Sequence, residues 1–184
     1  MLSPSFNKYE DNYWGDERAP LEIVEYFDYQ CEYCQEVMHV IRALKNKFGQ
    51  SLKVIYRNFP NQNLHPLSLD AAVVAEAASA NGKFQEMHEL ILENQKYLTR
   101  SGLNRLAEHM NIDMSYLEDQ NKIRWLFKKV ILDLQNGMKS GVWETPTFFI
   151  NGNKYNGFDD FQNIYRACQY AIYYQGEIGG RWIS

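Results

Sequence analysis

The sequence predicts an α/β protein in which a mixed central sheet is interrupted by one contiguous block of helices. Three observations carry this. Residues 21–59 read strand, helix, strand. Residues 67–138 place apolar side chains only at helical spacing. Strand signals then return near residue 147 with a tight turn between them.

Taken in order, residues 1–20 are polar, contain Pro4 and Pro20, and carry scattered aromatics (Phe6, Tyr9, Tyr13, Trp14), so an arm with docking aromatics is expected. Leu21–Phe27 (LEIVEYF) is β-branched and aromatic enough for a buried strand. Cys34, Val37, Met38, Ile41, Leu44 and Phe48 follow at helical spacing, ending near Gly49. Leu52–Phe59 is a second strand, closed by Pro60 and Asn61. Four helices are expected next, marked by Leu69 to Ala80, Phe84 to Leu92, Leu103 to Met110 and Ile123 to Met138, with Asn81-Gly82 and Gly137/Gly141 as breakers. Thr147–Ile150 is a strand, and Asn151-Gly152 suits a two-residue type I′ hairpin into a return strand over Asn153–Asn156. A last helix carries Phe158, Phe161, Ile164, Tyr165, Cys168 and Ile172. The expected organisation is an arm (1–20), a core (21–62 and 140–176), a helical insertion (63–139) and a flexible tail (177–184) holding Trp182.

Bulk properties exclude several functions. With 184 residues and 45 % hydrophobic content, one domain with one good core is expected. A net charge of -4 provides no basic stripe for nucleic acid. Lys122, Arg124, Lys128 and Lys129 read as a solvated helix face. No apolar run approaches the ~18 residues of a membrane helix. The first twenty residues hold no apolar segment of a secretory signal. A cytoplasmic site of action is therefore expected, or a periplasmic or exported one if the N-terminus has been trimmed. One close cysteine pair plus one further thiol suits a reducing compartment.

Cys31-Glu32-Tyr33-Cys34 sits where the first strand hands over to a helix. Unpaired backbone N–H groups and the helix dipole favour a negative sulfur there. Such a pair beside a strand-helix-strand pattern reads as a redox motif. Cys31, nearer the dipole's positive end, is the expected nucleophile, and Cys34 the buried resolving thiol. A structural staple is disfavoured because so short a loop removes little chain entropy. A zinc half-site is disfavoured because the remaining candidates, Cys168 and the isolated His39, His65, His88 and His109, show no second paired spacing. No metal is expected. Cys168 reads as a buried core thiol, the histidines and the late tyrosines (Tyr165, Tyr170, Tyr173, Tyr174) as packing, and Glu22 as solvent-facing.

Four segments resemble the DsbA-type branch of the thioredoxin superfamily. They are LEIVEYFDYQCEYC (21–34), the helical stretch after YRNFPNQNLHP, GKFQEMHELIL (82–92), and Thr145-Pro146-Thr147 running into FFING; together they span roughly residues 19–165. The resemblance implies a thioredoxin-like fold with an inserted helical subdomain acting as a lid. It implies a dithiol–disulfide exchange enzyme that needs no cofactor beyond the Cys31–Cys34 couple. It also implies a cis bond before Pro146, turning the Thr145 backbone toward Cys31 to pair with an extended substrate segment. Glu25, six residues before Cys31, matches the buried acid such enzymes keep beneath the site, and burial would raise its pKa. Substrate contact is assigned to Thr145, Pro146, Tyr33 and Glu32.

Glu32 places a negative charge beside the nucleophile, where strongly oxidising relatives tend to have Pro-His between the cysteines. A reductase or isomerase is therefore expected, and Thr145 before the proline points the same way. Partners would be protein or peptide thiols and disulfides, with glutathione or an upstream reductase as electron source. A redox-responsive interaction module with the same fold is the alternative, separated by turnover of a generic disulfide. A glutathione-dependent isomerase or transferase is disfavoured because such relatives usually lack the second cysteine.

Overall fold

The computed structural model describes residues 5–174. The described strands are β1 (Asn12–Trp14), β2 (Leu21–Phe27), β3 (Leu52–Asn58), β4 (Thr147–Ile150) and β5 (Asn153–Lys154). They form one sheet in the order β1-β3-β2-β4-β5. Only β2 and β3 pair in parallel, joined by helix α1 (Glu32–Phe48); the other three pairings are antiparallel. The sheet is therefore mixed, as the strand order in the sequence requires. Asn151 and Gly152 both take positive φ between β4 and β5, the conformation a type I′ turn demands.

The expected helical block is present as α2 (Ser68–Ala80), α3 (Phe84–Glu93), α4 (Arg100–His109), α5 (Ser115–Glu118) and α6 (Gln120–Lys139), and α7 (Phe161–Tyr173) follows the hairpin. The last helix of the block starts three residues before its first apolar marker. The Asp119 carboxylate accepts from the Asn121 and Lys122 amides and so caps it. Helix α7 likewise starts after Asp160, which caps it through the Asn163 amide, so Phe158 lies outside it and is 80 % exposed.

Two apolar layers enclose the sheet. Ile23, Phe27, Val54, Tyr56, Phe148 and Ile150 point to one face with Cys34, Val37 and Ile41 of α1. Val24, Tyr26, Ile55 and Phe149 point to the other with Phe59 and Val142, and Leu134 of α6 packs against them. Side chains alternate along a strand, so Glu25, between Val24 and Tyr26, shares the α1 face. Its partners across the sheet are Tyr56 and Phe148.

Two expectations about the N-terminal part of the chain need correction. The first twenty residues are not simply an arm, because Asn12–Trp14 forms the edge strand against β3. The cause is a charge that must be paired. Arg57, buried on β3, donates from Nε and Nη2 to the two carboxylate oxygens of Asp11 at 2.9 and 3.0 Å. Three residues cannot show an alternation, so neither pattern was visible in sequence. Glu22 is not solvent-facing: it pairs with Lys53 at 3.0 Å and is partly buried. The tail (177–184), with Trp182, lies outside the described residues.

Candidate active site

The turn between β2 and α1 is tied down before any chemistry is considered. Cys31 takes an extended conformation and starts the helix. Its N–H donates to the Asp28 carbonyl at 3.2 Å, and its own carbonyl accepts from Cys34 N–H at 3.1 Å. Buried Gln95, from the turn after α3, donates to the Tyr29 and Cys31 carbonyls at 3.0 and 2.8 Å. The loop cannot drift without losing four hydrogen bonds, which fixes the position of the Cys31 sulfur.

All three cysteines are free thiols. Cys31 is 7 % exposed and Cys34 fully buried. The Cys31 thiol is lowered to about 6, first by the hydrogen bond from Cys34, against the opposing effect of burial. Thr145 and the Tyr33 and Cys34 amides add to the lowering. In its protonated form Cys31 Sγ also donates to the Thr145 carbonyl at 3.2 Å. Burial, then the adjacent Cys31, holds the Cys34 thiol well above its usual range, although the Asp28 N–H donates to Cys34 Sγ at 3.5 Å. The two sulfurs are thus separated in acidity as a nucleophile and a resolving thiol require.

Cys31 opens into a cavity of about 520 Å³. Glu32 and Tyr33 line it on one side, and Phe59, His65, Trp143 and Thr145 on the others. The Thr145–Pro146 peptide bond is cis, and the Thr145 carbonyl faces the Cys31 sulfur. Tyr33, Leu64 and Trp143 are 68 %, 73 % and 74 % exposed, so the rim is apolar and open to solvent. Helices α2 to α5 contribute no lining residue. The insertion enters the wall only through its first loop, at Leu64 and His65, so it is not a lid over this cavity.

Glu25 lies within the core, outside this cavity but close enough to Cys34 for its charge to add to the rise of that thiol. It is 1 % exposed, and burial raises its carboxyl to about 8 against the attraction of Lys45, with Asp159 adding to the rise. A small cavity of about 10 Å³, enough for one water, is lined by Glu25, Lys45, Tyr56 and His88. Lys45 is itself lowered to about 8 by burial, and its Nζ sits 5.2 Å from the centres of the Trp14 and Tyr56 rings. The structure therefore brings Cys31, Glu32, Tyr33 and Thr145 to one cavity, with Pro146 next in the chain, Cys34 buried beside Cys31, and Glu25 in the core. Burial pushes His88 down to about 3 and Cys168 up to about 12, so both are packing residues.

Several site residues were not singled out from sequence: Asp28, Phe59, Asn61, Gln95 and Trp143. The sequence suggests packing for His65, but it lies in the loop before α2 and lines the cavity. The available signals were small: an acid three residues before Cys31, the His65-Pro66 dipeptide, and a tryptophan three residues before Pro146.

The family described as Thioredoxin matches residues 8–168. Among solved structures, oxidised BdbD from Bacillus subtilis superposes with a TM-score of 0.80 at 21 % identity, covering 94 % of this chain and 98 % of that one. The thiol-disulfide exchange protein alpha-DsbA2 from Wolbachia pipientis superposes at 0.77 with 21 % identity, covering 89 % and 88 %. A curated relative, the Na(+)/H(+) antiporter NhaA 1 of Mycobacterium sp. (strain KMS), is 34 % identical over 161 residues. That match covers 86 % of this chain but 26 % of the antiporter, so the chain spans about a quarter of the curated relatives it matches. Among the described residues no helix is long and apolar enough to cross a membrane. With the family matched from residue 8 to residue 168 and the mixed sheet, helical insertion and paired thiols in place, the chain belongs to the thioredoxin family and has the DsbA-like fold.

Proposed function

We propose that this chain is a thiol–disulfide oxidoreductase acting on protein or peptide disulfides. The observation that carries the reading is the split between the two thiols: Cys31, lowered to about 6, at the floor of an open cavity, and Cys34, buried and raised, hydrogen-bonded to it. In the reducing direction the Cys31 thiolate attacks one substrate sulfur. The new S–S bond forms as the old one breaks, and the other substrate sulfur departs with the electron pair. Cys34 then loses its proton and attacks Cys31 Sγ, releasing the second substrate thiolate and leaving the Cys31–Cys34 disulfide. Glu25, whose raised carboxyl can take up or release a proton near neutrality, receives the Cys34 proton. Thr145 and Pro146 offer main chain to an extended substrate, while Tyr33 and Trp143 flank its side chains.

The direction favoured is reduction or isomerisation. A thiolate held near pH 6 is less stabilised than the ~3.5 of strong oxidants, so the reduced form is less favoured. Glu32, exposed beside Cys31, works in the same sense. Thiols such as glutathione, or an upstream reductase, would restore the dithiol. A protein of similar fold from Salmonella enterica is periplasmic, so the fold lends no support to the cytoplasmic placement expected from the N-terminus. No transport activity is placed in this chain, since its matched part carries a thiol site.

Equilibration of the Cys31–Cys34 couple with glutathione buffers, together with turnover of a disulfide-linked peptide, tests this. Cys31→Ser should abolish turnover, and Cys34→Ser should accumulate a mixed disulfide at Cys31. A wild-type protein that binds but never turns over disulfides would favour the redox-sensing alternative. A couple as oxidising as about −120 mV would reverse the assigned direction.

A further inference from the structure

The buried Asp28 is the best-connected polar group beside the reacting sulfurs, and the sulfur exchange itself makes no use of its carboxylate. Oδ1 accepts from the Gln30 amide at 2.8 Å. Oδ2 accepts from the Asn61 amide at 2.8 Å and lies 2.9 Å from His65 Nδ1. The Asp28 side chain is fully buried, whereas the His65 side chain is 25 % exposed and lines the cavity that Cys31 enters. With both carboxylate oxygens already accepting backbone N–H groups, Nδ1 is the donor in this pair. The ring is thereby fixed in orientation, and Nε2 has no hydrogen-bond partner among the described residues.

We propose that His65, oriented by Asp28, is the proton donor to the substrate sulfur that departs when Cys31 attacks. This rests on the oxidoreductase reading above and adds a catalytic residue to it. The need is chemical. A departing alkyl thiolate has a conjugate thiol near the ordinary cysteine value of about 8.5 and leaves slowly, because exchange rates depend on the leaving thiol's acidity. Of the two proton carriers already proposed, Glu25 is buried and does not reach the cavity, and the Cys34 proton is held for the second step. The titratable groups facing the cavity are Cys31, Glu32, Tyr33, His65 and Glu144, with Asp28 behind the ring. Among them His65 is the nitrogen acid, and it is held in place by a buried carboxylate.

The step balances. The Cys31 Sγ–substrate bond forms, the substrate S–S bond breaks, and its electron pair passes to the far sulfur. That sulfur takes the proton from Nε2, leaving neutral imidazole with its Nδ1–H on Asp28, and solvent reprotonates Nε2 through the open cavity. In the oxidising direction neutral Nε2 removes the proton from the incoming thiol. Asp28 acts through the ring and is a positioning residue.

The test compares two disulfides on one preparation of reduced enzyme: a nitroaryl disulfide, whose leaving thiol is acidic and needs no proton, and a dialkyl disulfide in a short peptide. In His65→Gln the ratio of dialkyl to aryl rate should fall, by roughly 100-fold if general acid catalysis has its usual worth. Asp28→Asn should move the ratio the same way. The ratio is insensitive to the folded fraction, so partial misfolding of either variant does not obscure it. In the wild type the ratio should decline with rising pH, and in His65→Gln it should not. Cys31 ionisation cancels because both substrates need the same thiolate. A ratio unchanged within about threefold, or a pH-independent wild-type ratio, overturns the proposal. A wild-type enzyme inactive toward both disulfides would instead overturn the oxidoreductase reading.

Discussion

Glu25→Gln isolates the energetic consequence of burying an acid beneath the cysteine pair. Burial raises this carboxyl from 4.5 to about 8. Below the lower value the folded and unfolded chains both hold the proton, and the favourable contribution is fully present. As pH rises through the window the unfolded chain ionises first, so that contribution is lost at about 1.4 kcal/mol per pH unit. Over the 3.5 units between 4.5 and about 8 the ceiling is about 5 kcal/mol. Glutamine keeps the shape but cannot ionise. Urea unfolding of the reduced protein at a series of pH values, wild type against variant, gives the difference directly. Asp133, raised to about 7 mainly by burial, and Cys31 titrate in both proteins and cancel. Lys45, lowered to about 8, sets the upper end of the useful range. The variant should gain on the wild type by about 2–5 kcal/mol from the bottom of the window to the top. Parallel stability curves would refute the raised carboxyl, and with it the argument that Glu25 exchanges a proton near neutrality.

Three further outcomes follow from the geometry. Thiolate absorbance should titrate with a midpoint near the lowered value of about 6 for Cys31, and Cys34→Ala should shift it upward by removing the largest stabilising hydrogen bond; no shift would contradict that assignment. Glu32→Lys should lower the same midpoint and make the couple more oxidising, read by equilibration with glutathione, whereas a raised midpoint would show that Glu32 does not act by charge. Gly137→Ala should cost about 1–3 kcal/mol, since a methyl group there lies 2.8 Å from ring carbons of Tyr26 and Phe59; an unchanged urea midpoint would disprove that close approach of α6 to the sheet.

Much of the core was readable because its periods are long. LEIVEYF and LKVIYRN are full strands, and α2 and α6 run for 13 and 20 residues, so apolar spacing repeats often enough to identify each element. The Cys31–Cys34 spacing was readable because both partners are close in the chain. Short elements were not. Asn12–Trp14 is held by an ion pair 46 residues distant in sequence, and α5 is four residues long. The cavity wall was equally hidden, because Phe59, His65 and Trp143 come from segments that meet only in the folded chain.

Local order along the chain was enough to dictate a mixed sheet, a helical insertion and a paired-thiol turn, since strand alternation, helical spacing and the two-residue gap between cysteines are all short-range properties. Long-range proximity decided the rest. Asp28 meets His65 across 37 residues, Gln95 reaches back 64 residues to the Cys31 carbonyl, and Thr145 arrives from 114 residues away. Acidity belongs to that second group: a carboxyl on an apolar strand has its pKa raised only when a helix closes over it and removes the water that would otherwise keep it ionised.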